Sequence, residues 1–349
     1  MQANTFSPTP DFNVDVPGRS YSMRTAMLAA ALSLVSAPLL AGDRHHDDED
    51  DDHHKKAFCS MTAKAAKKAC GFQVKDDYWI SVGNCINESD DDERRDCFRD
   101  ARDEKMDAKE LCEEQLDARL ELCDAVGEAR YAPDFDSENF VNPTEIGHSV
   151  APNSYFPLVA GNKWVYAGGD ETITVTVTEK TKLIEGVTCV VVNDLVEEDG
   201  VPIENTDDWY AQDLEGNVWY CGEIAENFEV FEGDNPEDPE LVDIEGSWKA
   251  GRDGAKPGIL IGAAPQVGDI YQQEVALGDA EDIAEVISTT GNESVEAGFS
   301  CNHNCVVTKD GTPIEPGVYE NKHYVPDIGL ILKEDMEGNR VELVEFTTS

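Results

Sequence analysis

Residues 57–126 read AFCSMTAKAAKKACGFQVKDDYWISVGNCINESDDDERRDCFRDARDEKMDAKELCEEQLDARLELCDAV, and this stretch decides the first half of the fold. With the next four residues it makes a helical-hairpin segment, 57–130, that has no proline and is rich in Ala, Lys, Glu, Asp, Arg and Leu, the composition of helix. Six cysteines punctuate it: Cys59, Cys70, Cys85, Cys97, Cys112 and Cys123. Paired from the ends inward, their residue numbers share one total, 182. That is the numbering of an antiparallel hairpin folded about residue 91. The cysteines of each arm are 11 and 15 residues apart. At about 100° per residue those steps return to within roughly 20° and 60° of one helix face. The reading is three nested bridges, Cys59–Cys123, Cys70–Cys112 and Cys85–Cys97, joining two helices. Asn87–Asp92, NESDDD, supplies the turn and an N-cap for the second helix.

The apolar seam beside the cysteines is thin: Ala101, Ala108, Leu111, Ala118 and Leu122 on the second arm. Such a hairpin buries too little to hold by itself, so covalent staples make physical sense. Gly71 and Gly83 threaten the continuity of the first arm.

Upstream, Arg24 precedes the apolar run AMLAAALSLVSAPLLA, residues 26–41. It is short for a membrane span and suits a signal-peptide core. The expectation is that 1–41 is leader and signal peptide, and that the mature chain is exported, periplasmic or extracellular, with no integral membrane span. Ten cysteines, without a CxxC pair, fit disulfides in an oxidising compartment rather than a thiolate metal site. Residues 42–56 form a His/Asp-rich tail that reads as solvated. Within it His45, His46, His53 and His54 flank six acidic residues, a donor set suited to divalent or transition metals.

Downstream, 131–153 is read as a linker carrying Pro133, Pro143 and Pro152. From 154 to 349 the texture is β. Thr172–Thr178, Val187–Val192, Asn217–Cys221, Tyr319–Tyr324 and Val341–Phe346 read as strands. Asp199-Gly200, Glu215-Gly216 and Glu337-Gly338 mark tight connections. Residues 279–287 have weak helical texture, a short helix at best. Cys189, Cys221, Cys301 and Cys305 are expected to form two bridges. Their spacing leaves three connectivities open, with a slight preference for Cys301 and Cys305 each bonding back to the sheet. The fold class is therefore α+β: a disulfide-stapled antiparallel helical hairpin, then an antiparallel, curved β-sheet domain.

The chain of 349 residues carries 27 Lys+Arg against 73 Asp+Glu, a net charge of −46. That field repels phosphate backbones and anionic membranes, so nucleic-acid binding is excluded. It is also what a saline habitat produces. No GxSxG, Walker loop or GxGxxG motif is present. His303, between Cys301 and Cys305, and His323 are the histidines available to a hydrolytic site in the β domain. Trp164, Tyr166, Trp209 and Trp219 fall at strand positions. They are candidates to line a ligand cavity, with plain core as the commoner role.

YFPLVAGNKWVY at 155–166 is followed by the TVTVT strand, DDWYAQDLEGNVWY at 207–220 and YVPDIGLIL at 324–332. Over about 155–346 this resembles a biochemically uncharacterised group of exported bacterial β-rich proteins that open with YFPL-x-x-GN-x-W-x-Y. The resemblance implies a curved antiparallel sheet, related in shape to lipocalin-like or LolA-like half-barrels, and carries over no functional residue. The first functional expectation is an exported, non-enzymatic protein whose β domain binds a partner or small ligand on a stapled helical stalk. The alternatives are a metal-binding protein using the tail, and a hydrolase with a site in the β domain. Oligomeric state and ligand identity are left open.

Overall fold

The structure is a computed structural model and describes residues 57–349. The signal-peptide reading of 1–41 and the metal reading of His45, His46, His53 and His54 fall outside the described residues.

Two helices open the chain, α1 (Phe58–Asn87) and α2 (Asp91–Val126). They form the antiparallel hairpin with the nested ladder Cys59–Cys123, Cys70–Cys112 and Cys85–Cys97 at Cα–Cα distances of 5.6, 5.9 and 5.5 Å. Helix α1 runs unbroken through Gly71 and Gly83. Asp90 caps α2, its side chain accepting from the backbone N–H of Asp92 and Glu93 at 2.8 and 3.0 Å. The start of α1 has no such cap of its own. Glu128, arriving from beyond α2, accepts there from the Ser60 N–H at 3.0 Å, so a carboxylate sits at the positive helix end. The seam is as thin as its sequence: Ala63, Ala66, Val74 and Ala101 are its buried aliphatic residues.

Fifteen strands follow: β1 (Lys163–Gly168), β2 (Glu171–Ile184), β3 (Val187–Glu198), β4 (Val201–Gln212), β5 (Val218–Glu229), β6 (Glu240–Asp243), β7 (Trp248–Lys249), β8 (Lys256–Ile261), β9 (Ile270–Gln272), β10 (Glu274–Val275), β11 (Ile283–Ser294), β12 (Ser300–Gly311), β13 (Tyr319–Val325), β14 (Gly329–Asp335) and β15 (Arg340–Thr347). The order is β10-β8-β5-β4-β3-β2-β1-β15-β14-β13-β12-β11-β9, all antiparallel, with β6 and β7 also on β5. The two ends of this order, β9 and β10, flank a single residue, Gln273. Its side chain donates to the Leu260 carbonyl at 3.0 Å. One short segment therefore pairs with β11 on one side and β8 on the other, and the sheet nearly closes into a barrel with few free edges.

Three expectations need correction. Cys301 bonds Cys305, and Cys189 bonds Cys221. In an extended strand four residues span roughly 13 Å, which forbids the first pair. Here β12 bulges: Gly291 faces Cys305 and Glu293 faces Cys301, so two steps on β11 match four on β12. His303 takes φ 57° at the apex, and the ends close to a Cα–Cα distance of 5.5 Å. Residues 279–287 are not helical. Ala284 and Val286 are buried while Glu285 and Ile287 are exposed, and this alternation places them on β11. Finally, 131–153 is a strap laid on the barrel rather than a free linker. Phe135 and Phe140 pack on Trp219, and the Val141 N–H donates to the Gln212 carbonyl at 2.9 Å.

Candidate ligand cleft

The hairpin docks on the barrel through its α2 face. Arg119 makes a two-point ion pair with Glu281, 2.8 Å from Nε and 2.6 Å from Nη2, with side chains 6% and 12% exposed. Gln115 donates to the Ile314 carbonyl at 2.9 Å. Beside these contacts lies a cleft of about 690 Å³ between the helix ends and the strands that close the barrel. That volume falls within the range of small-molecule sites, about 300–1,000 Å³. Phe58, Leu122 and Val126 form its helical wall, and Ile259, Ile270 and Ile283 its barrel wall. The rim is cationic: Arg130 stacks over the Phe58 ring at 3.9 Å, and Lys256 donates to the Tyr131 carbonyl.

Two polar groups at the cleft wall decide its chemistry. Arg119 Nη1 is buried and has no hydrogen-bond partner, while the same guanidinium satisfies Glu281 with its other nitrogens. A buried donor left unpaired costs about 1–3 kcal/mol, and an acceptor oxygen arriving in the cleft would recover it. Glu274, from β10, is the second group. Burial first, and then Asp282, raise its carboxyl well above the usual carboxylate range, which favours the protonated form.

Glu274 also belongs to an acidic cluster inside the barrel. Paired residues on an antiparallel ladder share a face. Asp208 lies opposite Glu223, Tyr210 opposite Tyr220 and Asp194 opposite Thr206. Gly222 makes this possible. It is a bulge residue at φ 127°, and a Cβ there would stand 2.4 Å from the Trp248 carbonyl oxygen. The bulge turns Tyr220 and Glu223 to one side, where the Tyr220 hydroxyl bonds both Asp208 and Glu223. One phenol proton cannot serve two carboxylates, so a carboxyl must carry the second proton. Burial raises Glu223 to about 8, Asp194 to about 6, and Asp208 well above its usual value. Across the barrel Lys322 reaches Asp310 at 3.0 Å and Glu320 at 3.1 Å. Burial works to lower its pKa, but those two carboxylates outweigh it and hold Lys322 well above its normal value.

The sequence candidates go elsewhere. Trp164 is 1% exposed, stacks between Phe156 and Phe346, and donates to the Ile328 carbonyl at 2.7 Å. Tyr166 donates to the Leu330 carbonyl at 3.1 Å. Trp219 donates to Asp213 at 2.8 Å, and Lys182 lies over the Trp209 ring at 3.2 Å. All four are core, and none lines the cleft. His323 faces Val307 on β12, four residues along from His303, which bonds Asn292 instead. The two histidines do not come together. Among the described residues no group of three His, Cys, Asp or Glu side chains gathers to hold a metal. Sequence reasoning missed Arg119 and Glu274. A lone arginine on the Cys face of α2, two helical turns past Cys112, was the available signal for the first.

Comparison with protein-family models, with curated proteins and with solved structures finds no match.

Proposed function

We propose that this is an exported, non-enzymatic binding protein that holds a small apolar molecule bearing an acceptor oxygen, a carboxylate or carbonyl, in the cleft between hairpin and barrel. The unpaired, buried Nη1 of Arg119, a residue that lines the cleft beside its aliphatic walls, carries the reading. Five disulfides among the described residues support the export half of it. The hairpin then serves as one wall of the site as well as a stalk, and its staples keep the helix ends fixed against the barrel.

The test is titration with anilinonaphthalene sulfonate, an apolar anion whose fluorescence reports burial, alongside native mass spectrometry of protein taken from the periplasm or medium. Val126→Trp, which fills the cleft from an exposed helix end, should abolish binding without lowering Tm. Arg119→Lys keeps a cation for Glu281 but loses the rigid guanidinium fork that sets Nη1 apart from the nitrogens bonded to Glu281, and should weaken binding about tenfold, the worth of one charge-assisted hydrogen bond at ~1.4 kcal/mol. Probe binding unchanged by Val126→Trp would overturn the proposal.

A further inference from the structure

The side of α1 turned away from the disulfides is apolar and uncovered. Phe72, Trp79 and Ile86 stand seven residues apart and are 69%, 66% and 67% exposed. Met61, 61% exposed, lies on the same face one end further. At about 100° per residue this row sits nearly opposite Cys59 and Cys70, so the hairpin itself can never cover it. Exposed apolar rows of this extent mark interaction surfaces. A seven-residue repeat is the spacing at which one helix meets another along its length.

We infer that the occupant is α1 of a second copy of this chain, packed antiparallel about a two-fold axis beside Lys75 and Asp76. The row is complementary to itself in that register. Phe72 meets Trp79 of the second copy, Ala65 meets Ile86, Lys68 passes over Gly83, and Lys75 meets Asp76. Two-fold symmetry repeats each contact, as an isologous interface requires. The contact runs from residue 65 to 86, roughly 30 Å of helix.

One local charge pair, Lys75 with Asp76, fits the same partner. Helix α1 carries Lys64, Lys67, Lys68 and Lys75 against Asp76 and Asp77, a positive segment in a chain of −46. The −46 of the whole molecule repels an anionic bilayer and a second copy alike, so the apolar row and the Lys75–Asp76 pair must carry the contact, and a bilayer offers no counterpart to Lys75 and Asp76 together. The acidic tail 43–56, DRHHDDEDDDHHKK, has no apolar side chain with which to cover Phe72 and Trp79. A second α1 supplies both apolar surface and a matched carboxylate.

The experiment is sedimentation equilibrium on the full exported chain, up to about 100 µM, where a micromolar Kd fills most sites. Salt of ~0.5 M shortens the screening length to about 4 Å and reduces repulsion between the two acidic molecules. A dimer is expected, tightening with salt. Phe72→Glu with Trp79→Glu should give a monomer with unchanged helical circular dichroism, since both positions are exposed. Lys75→Asp sets like charges opposite each other and should weaken the dimer at least tenfold. Adding Asp76→Lys restores the pair in reversed order and should recover most of the affinity. A monomeric wild type, a dimer indifferent to the glutamates, or a charge reversal that fails to rescue would each overturn the inference.

Discussion

Replacing Glu223 by Gln tests whether the barrel interior is held together by protonated carboxyls. Burial first, then the neighbouring Glu274, raises Glu223 from 4.5 to about 8. In the unfolded chain it ionises near its ordinary value, so between those limits the folded state binds the proton more tightly. Its stabilising contribution is complete below about 4.5 and is lost as pH rises through about 8. Every tenfold gain in proton affinity on folding is worth about 1.4 kcal/mol, so the whole effect is on the order of a few kcal/mol, shared with Asp208 through Tyr220. Asp194, raised to about 6, acts with the same sign over a lower window. Gln keeps a donor where the protonated acid had one and removes the charge. Urea unfolding followed by circular dichroism from pH 5 to 9, at constant ionic strength, should show wild-type stability falling as pH rises. Glu223→Gln should match wild type near pH 5 and exceed it near pH 9. Parallel curves for the two proteins would refute a proton-dependent interior.

Three further outcomes rest on the backbone and the bridges. Replacing Cys70 and Cys112 together by Ser should lower hairpin stability by about 2–4 kcal/mol, with the barrel still folded by near-ultraviolet circular dichroism. Gly222→Ala should cost several-fold more than an ordinary surface change, because its Cβ would meet the Trp248 carbonyl oxygen at 2.4 Å; the variant should lose soluble yield or show a large drop in Tm. Non-reducing peptide mapping should recover Cys301 and Cys305 within a single looped peptide and Cys189 linked to Cys221.

The hairpin was legible in the sequence because its information is local and arithmetical. Six cysteine positions carry register, face and antiparallel sense at once, and NESDDD marks the turn. Strands entered from a Gly turn were legible for the same reason: Val187–Val192 and Val341–Phe346 fall within β3 and β15, which run on to Val187–Glu198 and Arg340–Thr347. What failed was everything that depends on a bulge. Extended spacing forbids a Cys301–Cys305 bond, and only the extra residues on β12, held by Asn292, bring the two together. The acidic cluster depends likewise on Gly222, which turns Tyr220 toward Glu223. The cleft was illegible for a different reason. Its walls come from α1, α2, β8, β9, β10 and β11, and sequence separation hides the helices from the strands. The four aromatics drew attention by their strand positions, yet each satisfies its own neighbours inside the sheet.

Glu274 ties the cleft to the barrel interior, and this makes ligand affinity depend on pH in a definite direction. It lines the cleft, receives the Trp248 indole N–H at 3.3 Å, and lies within the field of Asp282 and Asp208. Protonated, it leaves Arg119 as the nearer influence on an incoming anion. Ionised, it adds a negative charge to the same wall. Affinity for anilinonaphthalene sulfonate should therefore be greatest on the acid side and fall as pH rises through the raised pKa of Glu274. By linkage, bound anion should push that pKa higher still. Glu274→Gln should bind the probe as wild type does at low pH and lose the decline at high pH. Fluorescence titrations of both proteins across pH 5 to 9 measure the difference directly. If the variant declined in parallel with wild type, Glu274 would not be the group that couples the cleft to the interior, and the loss at high pH would belong to the overall charge of the molecule.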